Sequence, residues 1–185
     1  LRLSPNFFTH ARFTNAFQLS SMPPRSGRQI DVQSRLVSKG SPWYSAMRED
    51  AHAKIEAIEG LKLSPPGKLN IQAFMAELAN SRLCFSPFGY GELCWRDIEA
   101  FQTGAVLIKP DMGHLQTLPD LYEPGVTYLP VRWDFSDLED VVRSALADEP
   151  RMEAIASEAW NRTARYIREG CFVDDMAEMF LSELL

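Results

Sequence analysis

The sequence predicts an α/β domain built on a mostly parallel sheet with helices on both faces. Two observations carry this expectation. Short β-branched or apolar runs alternate with longer segments of helical spacing along the chain, the pattern of strands joined by covering helices. Within that pattern, Arg82–Met112 (RLCFSPFGYGELCWRDIEAFQTGAVLIKPDM) reads as strand, glycine turn, helix and buried strand, the unit that a right-handed crossover closes into a parallel pair. At 185 residues, 45% hydrophobic and 24% charged, the chain can bury the core of one such domain.

The elements follow in order. Residues 1–27 read as an irregular N-terminal arm or linker, with Pro5, Pro23, Pro24 and the Ser20-Ser21 pair. Phe7, Phe8, Phe13 and Phe17 are too many aromatics for a free tail, so this stretch packs on something. It is either an arm laid on this domain's own core or the end of a preceding domain. Residues 28–185 form the α/β domain. Gln29–Val37 alternates and is a first strand. Ser41-Pro42 caps a helix over Trp43–Glu59, and Leu61–Leu63 is a weak second strand. Asn70–Asn80 is helical, with Ile71, Phe74, Met75 and Leu78 on one side.

In the central unit Arg82–Ser86 is a strand and Pro87–Gly91 a turn that glycines make cheaply. The helix starts at Glu92, and Gly104 ends it. Ala105–Ile108 is a buried strand, stopped by Lys109-Pro110-Asp111. A long loop, His114–Gly125, precedes a strand over Val126–Val131. Asp134 or Ser136 caps a helix to about Ala147, which Pro150 ends. Arg151–Glu169 and Phe172–Leu185 are the closing helices.

Composition excludes several classes. A net charge of −6 weighs against a nucleic-acid backbone as the main partner, while leaving room for a compact anion held by a few placed Arg and Lys. Cys84, Cys94 and Cys171 lack metal-ligand spacing and His10, His52 and His114 are scattered, so no metal site is legible. The reduced cysteines suggest a cytoplasmic setting, and no apolar run reaches transmembrane length. A start at Leu1 leaves the chain readable as part of a longer protein.

The candidate site lies in the central unit, where a loop leaves a strand's carboxyl end and a helix N-terminus offers free N–H groups to an anion. Ser86, Gly89, Tyr90 and Gly91 form the loop. Arg96 and Glu99 lie three apart on the helix and share a face. Arg96 is suited to the charge of a departing phosphate and Glu99 to hydrogen bonds from sugar hydroxyls. Glu92 favours the helix dipole at its N-terminus. Lys109 follows a buried strand at the edge where ligands sit, and Arg35 and Lys39 follow the first strand. Each also has a plainer reading: an ordinary strand–helix turn, a surface ion pair, a solvated lysine. Trp43, Trp95, Trp133 and Trp160 read as packing residues, and Arg48 and His114 have only weak claims to the site.

With these residues in view, Ser86–Met112 resembles the donor-binding segment of GT-B glycosyltransferases, of the kind found in glycosyltransferase families one and four and in exostosin-like families. The matching residues are Ser86, Pro87, Gly89, Gly91 and Glu92, then Arg96, Glu99, Ala100 and Gly104 before the Ala105–Ile108 strand. The resemblance implies a Rossmann-like sheet, one half of a GT-B fold, that binds a nucleotide-sugar such as a UDP- or GDP-sugar. It implies transfer of the sugar to an acceptor glycan, lipid or protein. Arg96 and the loop would face the diphosphate and Glu99 the ribose, with no metal or other cofactor. Glu92 would take the place of a second acid, although many retaining members carry that glutamate eight positions before the first, where this chain has Gly91. The acceptor half would be an N-terminal domain or a partner chain. The alternative is a non-catalytic nucleotide- or sugar-binding module.

Overall fold

The computed structural model describes residues 6–182 and bears out the α/β expectation. Four strands, β1 (Ile30–Gln33), β2 (Ser81–Phe85), β3 (Val106–Pro110) and β4 (Leu129–Val131), pair in the order β1-β2-β3-β4, and every pair is parallel. Ile30 is paired with Ser81, Leu83 with Val106 and Ile108 with Leu129. All four carboxyl ends therefore emerge at one edge, from the loops that begin at Ser34, Ser86, Asp111 and Arg132. Leu61–Leu63 forms only a bridge, Leu63 to Val32, on the free side of β1.

Eight helices cover the sheet among the described residues: α1 (Asn6–Thr9), α2 (Ala11–Leu19), α3 (Pro42–Glu56), α4 (Ile71–Ala79), α5 (Trp95–Thr103), α6 (Leu138–Ala147), α7 (Glu149–Arg168) and α8 (Cys171–Ser182). Successive strand residues point to opposite faces, and the core divides accordingly. Val32, Leu83, Phe85, Val106 and Ile108 pack with Ala51 and Ile55 of α3 and Val142 of α6. Cys84 and Leu107 face the other way, toward Leu78 of α4, Ile98 and Phe101 of α5, and Phe13 and Phe17 of α2. The long α7 serves both clusters, with Ile155 in one and Trp160 in the other.

Five local expectations change. The first strand runs only over Ile30–Gln33, so Ser34–Val37 leave the sheet as a loop. The arm is not irregular, because residues 6–19 form α1 and α2, and Phe13 and Phe17 are completely buried in the core; Leu1–Pro5 lie outside the described residues. The central helix begins at Trp95, not Glu92, because Asp97 caps it from inside. β3 runs through Lys109 and Pro110 rather than stopping before them. The last strand begins at Leu129, since Val126 and Thr127 hydrogen-bond back to the Glu123 carbonyl in a turn. Gly104 closes α5 with φ 68°, the left-handed conformation expected of it. The last helix is described to Ser182, and 183–185 lie outside the described residues.

Candidate functional site

The carboxyl edge is assembled from the loops after the strands, and its electrostatics start at Asp97. This carboxylate is completely buried at the first turn of α5. Ser86 Oγ donates to its Oδ1 at 2.8 Å, Tyr122 OH to its Oδ2 at 2.9 Å, and the Cys94 backbone N–H to its Oδ2 at 3.3 Å. Lys109 Nζ completes the group at 3.1 Å from Oδ2, with neither side chain exposed. Burial alone would lower the Lys109 pKa, but attraction to Asp97, aided by Cys94, more than offsets it and the net direction is up. Tyr122 is held neutral, burial first and Asp97 second pushing its pKa well above the ordinary value. This network ties both ends of the Ser86–Cys94 loop to α5, β3 and the 119–125 loop. It also satisfies the helix N-terminus internally, so the anion-attracting end expected there is already occupied by a carboxylate.

The sequence-predicted residues divide around that network. Ser86 is buried within it, and Lys109 lies beneath the site, its ammonium 5.1 Å from the centre of the Phe88 ring. Arg35 is committed to a two-pronged pair with Glu77 of α4, both contacts 2.6 Å, and to the Gly67 carbonyl. Arg96 sits in the first turn of α5, and its Nη2 donates to the Arg35 carbonyl at 2.5 Å. Glu99 faces away from the loop to pair with Arg12 of α2 at 2.7 Å, and burial raises its pKa against the pull of Arg12. Glu92 stands in the loop, 3.9 Å from His114 Nε2. Arg96 and Arg35 thus meet, while Glu92 and Glu99 are separate. Neither Gly89 nor Gly91 adopts a positive φ, and a Cβ added at Gly91 would meet nothing, so the turn itself does not demand glycine there.

Three features were missed or undervalued in sequence. Asp97 had no assigned role, and its position three residues after Cys94 is the spacing of a reciprocal cap. Arg48 of α3 is 6% exposed, and its Nη1 donates at 3.1 Å to each of the Pro87 and Phe88 carbonyls. Trp43 and Trp133 are not packing residues: they are 57% and 58% exposed. Trp43 stands edge-on to Tyr90, which stacks flat on Tyr44 at 4.4 Å, and Trp133 contacts Phe88 and His114.

Two adjoining cavities lie along the loop that leaves β1. One, about 340 Å³, is bounded by Ser34–Val37 and by the Leu63–Gly67 turn. The other, about 260 Å³, is lined by Leu36, Ser38 and Arg48. His52 and Glu56 border both and pair with each other at 3.0 Å. Among the described residues, no three His, Cys, Asp or Glu side chains converge as a metal site, and no helix is long and apolar enough to cross a membrane.

Comparison with known proteins places the fold. No protein-family model and no curated protein sequence matches the chain. Among solved structures, Anabaena Alr3699/HepE in complex with UDP-glucose aligns with a TM-score of 0.50 at 18% identity, over 98% of this chain and 47% of that one. The same protein in complex with UDP and glucose aligns at 0.49, also with 18% identity, 98% of this chain and 47% of that one. At this identity the likeness is one of fold: a Rossmann-like α/β sheet. The chain spans about half the length of that protein.

Proposed function

We propose that this chain is the nucleotide-sugar-binding half of a GT-B type glycosyltransferase, with the donor lying along the carboxyl edge of the sheet. The observation that carries the reading is the pair of adjoining cavities at that edge, beside the arginines of α3 and α5. In doubly wound sheets, ligands sit outside the carboxyl ends of the strands. The larger cavity has room for a nucleoside against Leu36, Leu63 and Pro65, and the smaller one is bordered by Arg48 together with Glu49 and Glu56. The fold likeness to a protein bound to UDP-glucose supports the same reading, as does the Ser86–Gly104 motif.

The reaction in this proposal is displacement of a nucleoside diphosphate from the sugar by an acceptor hydroxyl. The chain's own contribution is electrostatic: Arg96 stabilises the charge that develops on the departing diphosphate, with no metal in that role. The loop amide of Gly91 is offered to the same oxygens, with Tyr90 beside it, while the Gly89 N–H donates to the Gly91 carbonyl at 3.0 Å and holds the turn. Glu99 borders neither cavity and is turned toward Arg12, so its contact with a ribose hydroxyl requires that ion pair to open and the carboxylate to turn toward the loop; Glu92 reaches the sugar from the loop. Lys109 and Arg35 act through position, one holding Asp97 and the other presenting the carbonyl that orients Arg96. The acceptor and its binding half belong to the part of such an enzyme that this chain does not span.

Thermal stability in the presence of UDP, GDP, ADP and CMP tests the proposal on the wild-type chain and on Arg96→Ala and Glu99→Ala. A ligand at a hundredfold excess over its dissociation constant adds about 2.7 kcal/mol to the folded state. Stabilisation by one nucleoside diphosphate, much reduced in Arg96→Ala, is the expected result. No stabilisation by any of the four would remove the nucleotide from the reading.

A further inference from the structure

We propose that Tyr90 and Tyr44 form an aromatic strap that holds shut the mouth between the loop after β1 and the Ser86–Cys94 loop, with Gly40 leaving the space in which it closes. As a gate to the cavities the strap rests on the donor-site reading; as a contact it stands on geometry alone.

Tyr90 is 67% exposed, yet it is not a free surface ring. It lies parallel to Tyr44 of α3, with 4° between the ring planes and 4.4 Å between their centres. The Ser41 backbone N–H donates to its Oη at 3.1 Å. Trp43 stands edge-on to both rings, 6.0 Å from Tyr44 and 5.8 Å from Tyr90. The turn that carries Tyr90 is closed on itself by the Gly89 N–H and the Gly91 carbonyl, so the side chain is what reaches across to the other loop.

Gly40 lies against these rings. Its φ is not positive, so backbone conformation does not call for glycine there. Space does: a Cβ at this position would collide with the Tyr90 Oη and stand 2.6 Å from a Tyr44 ring carbon. The strap can shut only over a residue without a side chain. Tyr44 is backed in turn by the Arg48 guanidinium, one helical turn further along α3 and 5.6 Å from the ring centre. Arg48 also donates to the Pro87 and Phe88 carbonyls at the root of the Ser86–Cys94 loop. The first half of α3 therefore grips that loop twice, at its root through a buried arginine and at its tip through an exposed stack.

The two loops so joined are those that border the candidate site. One supplies Ser34–Val37 to the larger cavity and Leu36 and Ser38 to the smaller; the other carries the Gly91 amide. A ligand lying along the carboxyl edge passes between them. One exposed hydrogen bond and one exposed ring pair are a weak tie beside the burial that holds the core, so the strap opens without the chain unfolding. Low local stability of this kind is what a lid needs.

Hydrogen exchange read by mass spectrometry on the full chain tests the strap, with Gly40→Ala, Tyr90→Phe and Tyr90→Ser beside the wild type. Gly40→Ala is expected to speed exchange roughly tenfold in residues 38–45 and in residues 86–94 together, the effect of losing about one hydrogen bond and one ring contact. Its urea midpoint should stay near that of the wild type. Tyr90→Phe keeps the stack and loses the acceptor for Ser41, so a smaller joint effect is expected. Tyr90→Ser removes the ring and carries the same test should Gly40→Ala not fold. UDP and GDP are then mixed with each chain and their association followed by tryptophan fluorescence. Whichever binds is expected to associate several-fold faster with Gly40→Ala. Exchange that changes in neither segment, or in one alone, would overturn the strap, and a nucleotide that associates no faster would overturn its gating role. Joint loosening of both segments, with neither nucleotide bound by any form, would uphold the strap and sink the donor reading instead.

Discussion

At the scale of single residues, the most consequential charges are the ones that never meet solvent. Asp97 receives Ser86, Cys94, Tyr122 and Lys109, and so fixes where the candidate binding loop leaves the sheet and rejoins α5. Removing one partner of such a pair strands the other charge in the interior, a loss of about 3–5 kcal/mol. Lys109→Met should therefore lower the free energy of unfolding by that order in urea titration, and Asp97→Asn by a similar amount. The double variant leaves no unpaired charge, so its loss should be clearly smaller than the two single losses added. Additive losses would mean that the two side chains do not depend on one another. Sequence alone placed Lys109 at the right edge of the sheet but not in its interior. A lysine that ends an apolar run reads as the first solvated residue unless the buried acid that receives it is recognised. Asp97 looks like any acid in the first turn of a helix.

At the scale of elements, the β2–α5–β3 unit was legible because its strands are short continuous apolar runs and Gly104 marks the helix end without ambiguity. The arm was not legible. Pro5, Pro23 and Pro24 suggested an irregular chain, yet the two nearest the helices on their far side flank α2 rather than interrupt it. Phe13 and Phe17, four apart, were the helical signal. Their rings enter the cluster that holds α5 and α7. Arg168 of α7 then donates to the Phe17 and Ser20 carbonyls and satisfies the end of α2. Phe13 and Phe17 of the arm are in this sense part of the domain's core. Phe13→Ala should cost about 3–5 kcal/mol, the range for deleting a buried aromatic ring. A chain starting at Arg28 should lose more, since it also removes the Arg25 contacts to Arg82 and Gly104. A truncated chain that unfolds at the wild-type urea concentration would show that α2 rests on the domain without supporting it.

At the scale of the whole molecule, both faces of one sheet share their stability, so groups buried on either face report on the same unfolding event. That makes the alkaline limit a test of the entire interior. Lys109 has a folded pKa above its ordinary 10.5, because Asp97 outweighs the opposing effect of burial. A group raised in this way contributes stability that is fully present below its unfolded pKa and is lost as pH rises through the folded value. The tyrosines act in the same sense. Burial, opposed in part by the Met112 N–H, pushes Tyr128 up to about 12, and burial with Asp97 raises Tyr122 well above 10.0. Cys84, completely buried, is raised from 9.0 by burial first. Unfolding releases protons from all four groups once the medium passes their unfolded values, so every slope has the same sign. Stability should begin to fall near pH 9, where the Cys84 thiol ionises only in the unfolded chain. The fall should steepen above pH 10 as the tyrosines and Lys109 join it. Urea titrations at intervals from pH 7 to 11 measure the slope directly. Cys94 is raised from 9.0 by burial as well, so Cys84→Ala should reduce the slope just above pH 9 while leaving the onset and the steeper region in place. An unfolding free energy that stays level to pH 11 would require these side chains to reach solvent in the folded protein, against the dry interior on which the Asp97 network and the candidate site above it depend.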